Sequence, residues 1–239
     1  MKYKMFLLSA ACLAVSCITI KVNRDLLEIR TGEFEVEAGS GLSFENTNGD
    51  LEVREWELDF VQIETFIYGD SGSGVPPDLN IRFEELEDHL SAVVDYPGGI
   101  GISFCSVNFI VMIPDHMGYT INHTTTNGET LIIGDVIANV ESTNGDIYVE
   151  ATCSHYLETT NGDITALLSG QNGVLVAETT NGDVSVEIPD IIGFEAETVN
   201  GEIVFEGVKM DDQAFIDGDW IARIETTNGD ISVTRINVR

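Results

Sequence analysis

One short pattern, Asn-Gly followed by an acidic residue, recurs along most of this chain and limits what it can fold into. Seven copies occur, and from the second copy onward the intervals are 17, 17, 20, 19 and 28 residues. An Asn-Gly pair between alternating apolar residues is typical of a two-residue type I′ turn. Turns at this spacing predict short strands in repeated units. The pairs are Asn48-Gly49, Asn127-Gly128, Asn144-Gly145, Asn161-Gly162, Asn181-Gly182, Asn200-Gly201 and Asn228-Gly229.

Apolar residues alternate with polar ones on both sides of each asparagine, as in strands with one buried face. Around Asn181 the apolar positions are Leu175, Ala177, Val184 and Val186. Each repeat is therefore predicted to be a strand, a tight turn and a second strand that share an apolar face. One unit cannot bury that face alone, so neighbouring units must stack. The sequence predicts an all-β fold, a single-stranded parallel β-helix or solenoid whose stacked strand-turn-strand coils turn at Asn-Gly.

Three stretches depart from the regular pattern. In the copy at Asn127 the apolar residues come one position late, at Leu131 and Ile133, which predicts a slip of one residue. The segment FEELEDHLSAVV has partly helical spacing, but its flanks favour two strands with a turn near Glu87-Asp88. Residues 208–220 are expected to be an insertion in the stack.

The N-terminal residues have the features of an export signal. Lys2 and Lys4 precede an apolar run that is too short to span a bilayer. Ala14-Val15-Ser16-Cys17 is similar to a bacterial lipobox, in which Cys17 becomes lipidated; the alternative is an ordinary secretion signal in which Cys17 has no role. We expect an envelope protein, periplasmic or on the cell surface, that meets the membrane only through its lipid. The predicted parts are a signal peptide over residues 1–16, a lipid-anchored tether and capping strand over 17–40, and a β-solenoid domain over 41–239.

The net charge limits the possible binding partners, and the cysteines bear on the cellular compartment. The formal net charge is −30, so nucleic acid and anionic membrane surfaces would repel the chain. We therefore expect no nucleic-acid partner. Cys105 and Cys153 could form one disulfide outside the cytoplasm, or both could be buried thiols.

The segments NTNGDLEVREW and VMIPD, followed by a run of TTNGDI copies, resemble the bacterial putative-adhesin family of unknown function. The resemblance covers roughly residues 40–239. It implies a β-helical fold and attachment to the cell envelope, and it implies no catalytic residues. We expect a role in cell-surface interaction or adhesion, or a structural role in the envelope. The expected partner is an envelope or surface protein or a glycan.

Two sets of acidic residues should form rows along the stack. One acid stands three residues before the asparagine in six copies, and another stands two residues after it in all seven. Equivalent positions in stacked strands lie about 4.8 Å apart, where unit charges repel by about 0.9 kcal/mol in water. Counterions would relieve this cost, which predicts a ridge that takes up Ca²⁺, Mg²⁺ or a basic partner. The candidate metal ligands are Glu141, Asp146, Glu158, Asp163, Glu178, Asp183, Glu197 and Glu202.

A plainer interpretation assigns the repeat to the scaffold alone. Asn and Gly make the turn, Thr fills a narrow corner, and the acid is solvated beside it. Stacked asparagine side chains can also hydrogen-bond in a ladder from coil to coil.

Signs of an enzyme are few. The sequence has no Gly-rich phosphate loop and no serine elbow, and His89, His116, His123 and His155 have no short metal-ligand spacing. We therefore expect a protein that is not an enzyme and needs no cofactor beyond the cations named above. The alternative is a polysaccharide-active β-helix enzyme with a pair of catalytic carboxylates.

The C-terminal strand is expected to end the stack. A strand over Asp230–Arg239 would then have a free edge, which favours edge-to-edge self-association. Arg235 and Arg239 would protect that edge.

Overall fold

The computed structural model describes residues 24–70, 74–86, 88–96, 105–152, 155–170, 174–189, 192–218 and 220–236. Every element of regular secondary structure in these ranges is a β-strand, so the all-β prediction is confirmed. They are β1 (Arg24–Phe34), β2 (Gly41–Glu45), β3 (Leu51–Trp56), β4 (Val61–Asp70), β5 (Asn80–Leu86), β6 (His89–Asp95), β7 (Ser106–Pro114), β8 (Thr120–Asn127), β9 (Thr130–Gly134), β10 (Ile137–Asn144), β11 (Ile147–Ala151), β12 (His155–Asn161), β13 (Ile164–Leu168), β14 (Leu175–Asn181), β15 (Val184–Pro189), β16 (Ile192–Asn200), β17 (Ile203–Phe205), β18 (Val208–Lys209), β19 (Gln213–Ile216), β20 (Trp220–Asn228) and β21 (Ile231–Ile236).

The strands form two sheets with the apolar core between them. Sheet A has the order β1-β4-β7-β3-β9-β11-β13-β15-β21-β17-β18, and sheet B has the order β19-β16-β20-β14-β12-β10-β8-β2-β6-β5. Each repeat gives one strand to sheet B and the next strand to sheet A. Its Asn-Gly pair lies at the corner between the two sheets.

The middle of the stack is parallel and its ends are antiparallel. In sheet B, β8, β10, β12 and β14 pair in parallel with their asparagines opposite each other. At the ends, β1, β4 and β5 pair antiparallel on one side, and β18 and β19 do so on the other. Both sheets are therefore mixed, and a single-stranded parallel β-helix over residues 41–239 is not confirmed.

The order of the coils in space differs from their order in the chain. β20 lies between β14 and β16, and β21 lies between β15 and β17. The expectation that the last strand is a free edge is therefore wrong. Within the described residues the outermost strands are β1, β5, β18 and β19. Self-association stays a prediction, but it cannot depend on the edge of β21.

Arg235 has a different environment from the one we expected. It lies opposite Ile188 of β15, inside sheet A. Its guanidinium carbon lies 5.3 Å from the ring centroid of Phe205, within cation–π distance. Arg235 therefore packs within the stack instead of protecting an edge, and Arg239 lies outside the described residues.

The predicted register slip at Asn127 is wrong. Thr130 pairs with Ile147 and is only 2% exposed, so it faces the core, while Leu131 and Ile133 face outward. The hydroxyl group of Thr130 can be buried because it forms a hydrogen bond with His123, with Oγ1 2.8 Å from Nδ1. A hydrogen-bonded polar pair thus replaces an apolar pair at this level of the stack.

The two irregular segments close the ends of the sheets. The segment FEELEDHLSAVV forms β5 and β6, which pair antiparallel, so the prediction of two strands is confirmed. In the 208–220 insertion, β18 and β19 are the terminal strands of sheets A and B. This insertion therefore caps the stack.

Several expectations about the N-terminus and the cysteines lie outside the described residues. The signal peptide over residues 1–16, the lipidation site Cys17 and most of the tether fall there, as does Cys153. Cys105 is buried. Among the residues that the structure describes, no helix has the length and apolar character needed to cross a membrane.

Candidate functional site

The seven Asn-Gly pairs line one corner of the stack, as predicted from the sequence. Every asparagine except Asn48 donates a hydrogen bond from its Nδ2 to the Oδ1 of the asparagine in a neighbouring coil, at 2.8–3.0 Å. The predicted asparagine ladder is therefore confirmed. It runs through Asn48, Asn127, Asn144, Asn161, Asn181, Asn228 and Asn200.

The predicted type I′ turn is wrong. That turn needs positive φ at the asparagine, whereas the non-glycine residues with positive φ in the described ranges are His116 and Glu206. Glycine is needed for another reason, which is the close approach of successive coils. A Cβ atom on Gly162 would lie 2.2 Å from the carbonyl oxygen of Gly145. The corner therefore selects glycine because it has no side chain.

A buried hydroxyl two residues before the asparagine supports the same corner. Thr179 Oγ1 donates to the carbonyl oxygen of Gly162 at 3.0 Å, and Thr226 Oγ1 donates to that of Gly182 at 3.0 Å. The first threonine of TTNGD thus satisfies a backbone acceptor of the neighbouring coil. This agrees with the expectation that threonine fills the corner.

The aspartate that follows five of the seven Asn-Gly pairs also belongs to the scaffold. Asp163 N donates to Asp146 Oδ1 at 2.9 Å, and Asp183 N donates to Asp163 Oδ1 at 2.8 Å. We call these residues the aspartate row. Sequence reasoning missed these bonds, although the preference for the short side chain of Asp was a usable signal. The row consists of Asp50, Glu129, Asp146, Asp163, Asp183, Asp230 and Glu202.

Like charges within the aspartate row affect one another. Burial raises the pKa of Glu129, and the negative charges of Asp50 and Asp146 raise that pKa further. The hydrogen bonds to backbone N–H groups offset such repulsion, because charge-assisted bonds are stronger than neutral ones.

A second row of acids lies on the outer face of sheet B. Glu158 lies opposite Glu141 on one side and Glu178 on the other. Glu225 follows Glu178, and Glu197 follows Glu225, because β20 is inserted before β16. These five side chains, exposed or half-buried, are called the glutamate row below. The sequence predicted this alignment but not the order of its last two members.

Few side chains neutralise the glutamate row. Arg223 Nη2 lies 2.6 Å from Glu225 Oε1, and Arg223 Nε lies 4.0 Å from Glu178 Oε1. Tyr156 donates its hydroxyl to Glu158 Oε2 at 2.6 Å, which raises the pKa of Tyr156 to about 12. Among the described residues, Arg223 is the only base in an ion pair with the row. The row therefore keeps most of its negative charge.

The structure separates the predicted metal ligands into two sets with different surroundings. Asp146, Asp163 and Asp183 accept backbone hydrogen bonds at the corner. Glu202 lies in the same row, where its N–H donates to Asp230 Oδ1. The other four, Glu141, Glu158, Glu178 and Glu197, project from sheet B. Within the described ranges, no group of three or more histidine, cysteine or acidic side chains is placed to hold a metal ion. Uptake of Ca²⁺ or Mg²⁺ stays a prediction.

Two histidines lie in the core of the stack. Burial lowers the pKa of both His123 and His155 to about 4. His155 Nδ1 accepts a hydrogen bond from Ala138 N at 3.1 Å. Both rings are therefore neutral at physiological pH and serve packing.

The comparison with known proteins agrees with this architecture. The family model described as Toastrack DUF4097 matches residues 135–237. Residues 135–237, called the Toastrack region below, are similar to this family. The Toastrack region covers the coils from β10 to β21, including the cap formed by β18 and β19. The resemblance to putative adhesins of unknown function is thereby confirmed.

Solved structures with similar folds were also compared with this chain, and their matches cover most of it. A putative cell adhesion protein from Clostridium sporogenes is 13% identical and has a TM-score of 0.55; the match covers 87% of this chain and 100% of that one. Putative adhesins from Bacteroides fragilis (12% identical, TM-score 0.35) and Parabacteroides distasonis (11%, 0.28) each match 87% of this chain and 97% of theirs. Only the first of these scores supports a shared fold. No curated protein matches the chain.

Proposed function

We propose that the protein is an exported, lipid-anchored binding module of the cell envelope. In this proposal the glutamate row receives a basic segment of an envelope or surface protein, or divalent cations. The Toastrack region and the fold shared with a protein described as a putative cell adhesion protein support a role in surface interaction.

The unbroken alignment of five glutamates is the observation that carries this proposal. Neighbouring carboxylates about 4.8 Å apart repel by about 0.9 kcal/mol in water and by more near a protein surface. A surface without a charged partner normally intersperses positive and negative side chains. The row does the opposite over β10, β12, β14, β20 and β16, so its charge suits a positively charged partner.

The shape of the surface beside the row favours binding over catalysis. A shallow cavity of about 240 Å³ is lined by four members of the row, by threonines and by Val199. Its lining includes no aromatic residue, whereas sugar-cleaving sites commonly combine convergent acids with an apolar wall. The exposed hydroxyls of Thr160, Thr180 and Thr227 lie along the same face and can hydrogen-bond to a bound chain.

Calorimetric titration with CaCl₂ and with a short oligolysine peptide, both at constant ionic strength, tests the proposal. We expect heat of binding from wild type and at least about tenfold weaker binding after Glu141, Glu158, Glu178 and Glu197 are changed to Gln. A matched control changes four exposed acids outside the row, Glu37, Glu57, Glu84 and Glu85, to Gln. Equal affinity in the two quadruple variants, or no binding to either probe, would reject the glutamate row as a binding face.

The proposed attachment to the membrane through a lipid has a separate test. If Cys17 carries the lipid, Cys17→Ser should move the protein from the membrane fraction to the soluble fraction, because the anchor supplies the membrane affinity. Unchanged retention in the membrane would contradict a lipid anchor and leave the binding proposal in place.

A further inference from the structure

The asparagine ladder ends at a cavity. Beyond Asn48 the next coil consists of β6 and β7, and Phe109 of β7 lies opposite Leu51. Val107 N donates to Asn48 O at 2.9 Å, as Gly49 N donates to Asn127 O at 2.8 Å. Ser106 therefore stands at the position that asparagine holds in the repeat. Its shorter side chain leaves space beside Asn48.

The cavity has a volume of about 320 Å³ and a polar lining with one aromatic residue. Tyr68 of β4 lies directly opposite Ser106 and forms one wall. This volume is at the lower end of the range for small-molecule pockets. The lining residues are Asn48, Gly49, Asp50, Tyr68, Ser106, Asn108 and Asn127.

The carboxylate in the cavity is held in place by two donors. Asp50 Oδ2 accepts from Asn108 Nδ2 at 2.8 Å, and Asp50 Oδ1 accepts from Glu129 N at 2.9 Å. Each carboxylate oxygen has a further lone pair that can accept from a ligand. Burial raises the pKa of Tyr68, and the charge of Asp50 raises it further, so the phenol and the carboxylate are near neighbours.

Other polar atoms of the lining have hydrogen-bonding capacity to spare. Asn48 Oδ1 accepts from Asn127 Nδ2 at 2.8 Å, so Asn48 Nδ2 is the last donor of the ladder. Within the described residues no acceptor bonds to Asn48 Nδ2, and no donor bonds to Asn108 Oδ1. The hydroxyls of Tyr68 and Ser106 can each donate and accept. Both donors and acceptors with spare capacity thus line the cavity.

We propose that this cavity binds one unit of a neutral polyhydroxylated ligand, a sugar. Sugar hydroxyls both donate and accept, which matches the mixture of donors and acceptors near Asp50. The ring of Tyr68 offers an apolar face for sugar C–H groups. An anion is disfavoured by Asp50 and by the net charge of −30. A metal ion would find only one carboxylate here. The site is separate from the glutamate row, which begins at Glu141 of β10, two coils beyond Asn48.

The test uses saturation-transfer difference NMR with methyl α-glucoside, methyl α-mannoside, methyl β-galactoside and N-acetylglucosamine. We expect at least one of these probes to bind at low millimolar concentration. Ser106→Asn should extend the ladder into the cavity and weaken binding at least about tenfold without lowering the unfolding midpoint. Tyr68→Ala should weaken binding to a similar extent, and Tyr148→Ala, which removes a tyrosine on the outer face of sheet A, should leave binding unchanged.

Three results would overturn the sugar site. They are the absence of binding by all four probes, wild-type affinity in both Ser106→Asn and Tyr68→Ala, and an equal loss in Tyr148→Ala. If Ser106→Asn does not fold, Asn108→Leu replaces it. That change keeps the branched shape of the side chain and removes both the free Oδ1 and the donor to Asp50. Because these probes carry no positive charge, a failure here leaves the glutamate-row proposal unaffected.

Discussion

The side chains of the aspartate row and the glutamate row have the same sign of charge and the same spacing from coil to coil, but they contact different parts of the molecule. Asp163 accepts the backbone N–H of Asp183 in the neighbouring coil, whereas Glu158 projects from sheet B between two other glutamates. The first row joins neighbouring coils and the second opposes their close approach. Repetition in a sequence therefore does not distinguish scaffold from surface, because that distinction depends on which neighbouring backbone groups each side chain meets.

Gly162→Ala should have the largest effect, because it breaks the corner on which the aspartate row depends. The new Cβ would meet the backbone oxygen of Gly145, which cannot move without opening the stack. We expect a loss of about 4 kcal/mol or more in the free energy of unfolding, measured by urea denaturation. Gly74→Ala is the matched control, since no atom lies within 4 Å of a Cβ at that position. Equal stability of the two variants would contradict the close-approach explanation.

Two buried histidines also contribute to the loss of stability in acid. Their contribution must be known before acid denaturation can compare the aspartate row with the glutamate row. His123 and His155 have a pKa of about 4 in the folded protein and about 6.5 when unfolded. Between these values the unfolded chain binds more protons, so stability falls as pH falls. We expect a loss of about 2 kcal/mol for each histidine between neutral pH and pH 5.

Urea denaturation as a function of pH measures this loss. The variant His123→Val, Thr130→Val, His155→Leu should show a flatter slope between pH 6.5 and 5, whatever its stability at neutral pH. A slope as steep as that of wild type would mean that other groups cause the pH dependence.

Asp163 separates the charge of the aspartate row from its hydrogen bond. Asp163→Ala removes the acceptor for Asp183 N and should cost about 1–2 kcal/mol. Asp163→Asn keeps an acceptor oxygen and removes one negative charge, so we expect a much smaller change. Thermal unfolding of both variants is the measurement, and similar losses in both would mean that charge matters more than the bond.

Glu158→Gln should have the smallest effect and the opposite sign. It removes repulsion from Glu141 and Glu178 and keeps an acceptor for Tyr156. We expect a gain of about 0.5–1 kcal/mol at low ionic strength, which salt should reduce. The control is Glu150→Gln, an exposed acid of sheet A, and a gain of the same size there would point to the overall net charge instead of the row.

Local patterns predicted the alignment along the stack. Side-chain parity placed Glu158 and Glu178 on one outer face and the asparagines on one corner, because parity depends only on the strand itself. The same reasoning placed Thr130 outside the core, since an apolar pattern does not recognise a hydrogen-bonded pair with His123. A buried polar pair depends on two strands together, and it cannot be read from either one.

The sequence could not predict which coils lie next to each other in the stack. Nothing in the Asn-Gly pair at Asn228 indicates that its coil lies beside that of Asn181, because identical corners fit any neighbour equally well. The role of Asp163 was missed for the same reason, as its donor belongs to another coil. The cavity beside Asn48 was missed because β6 and β7 form a coil without an Asn-Gly pair, with Ser106 in place of the asparagine.

The insertion of β20 and β21 between earlier coils sets the order in which a newly made chain can finish folding. β14 and β15 are synthesised before β16 and β17, yet they reach their final partners only when residues 220–236 arrive. Coils therefore cannot be added one after another from the N-terminus to completion, and closure waits for contacts between strands that are far apart in sequence. A ribosome that stops before Trp220 would release a chain with two unmatched strand edges on each sheet, in the middle of the stack.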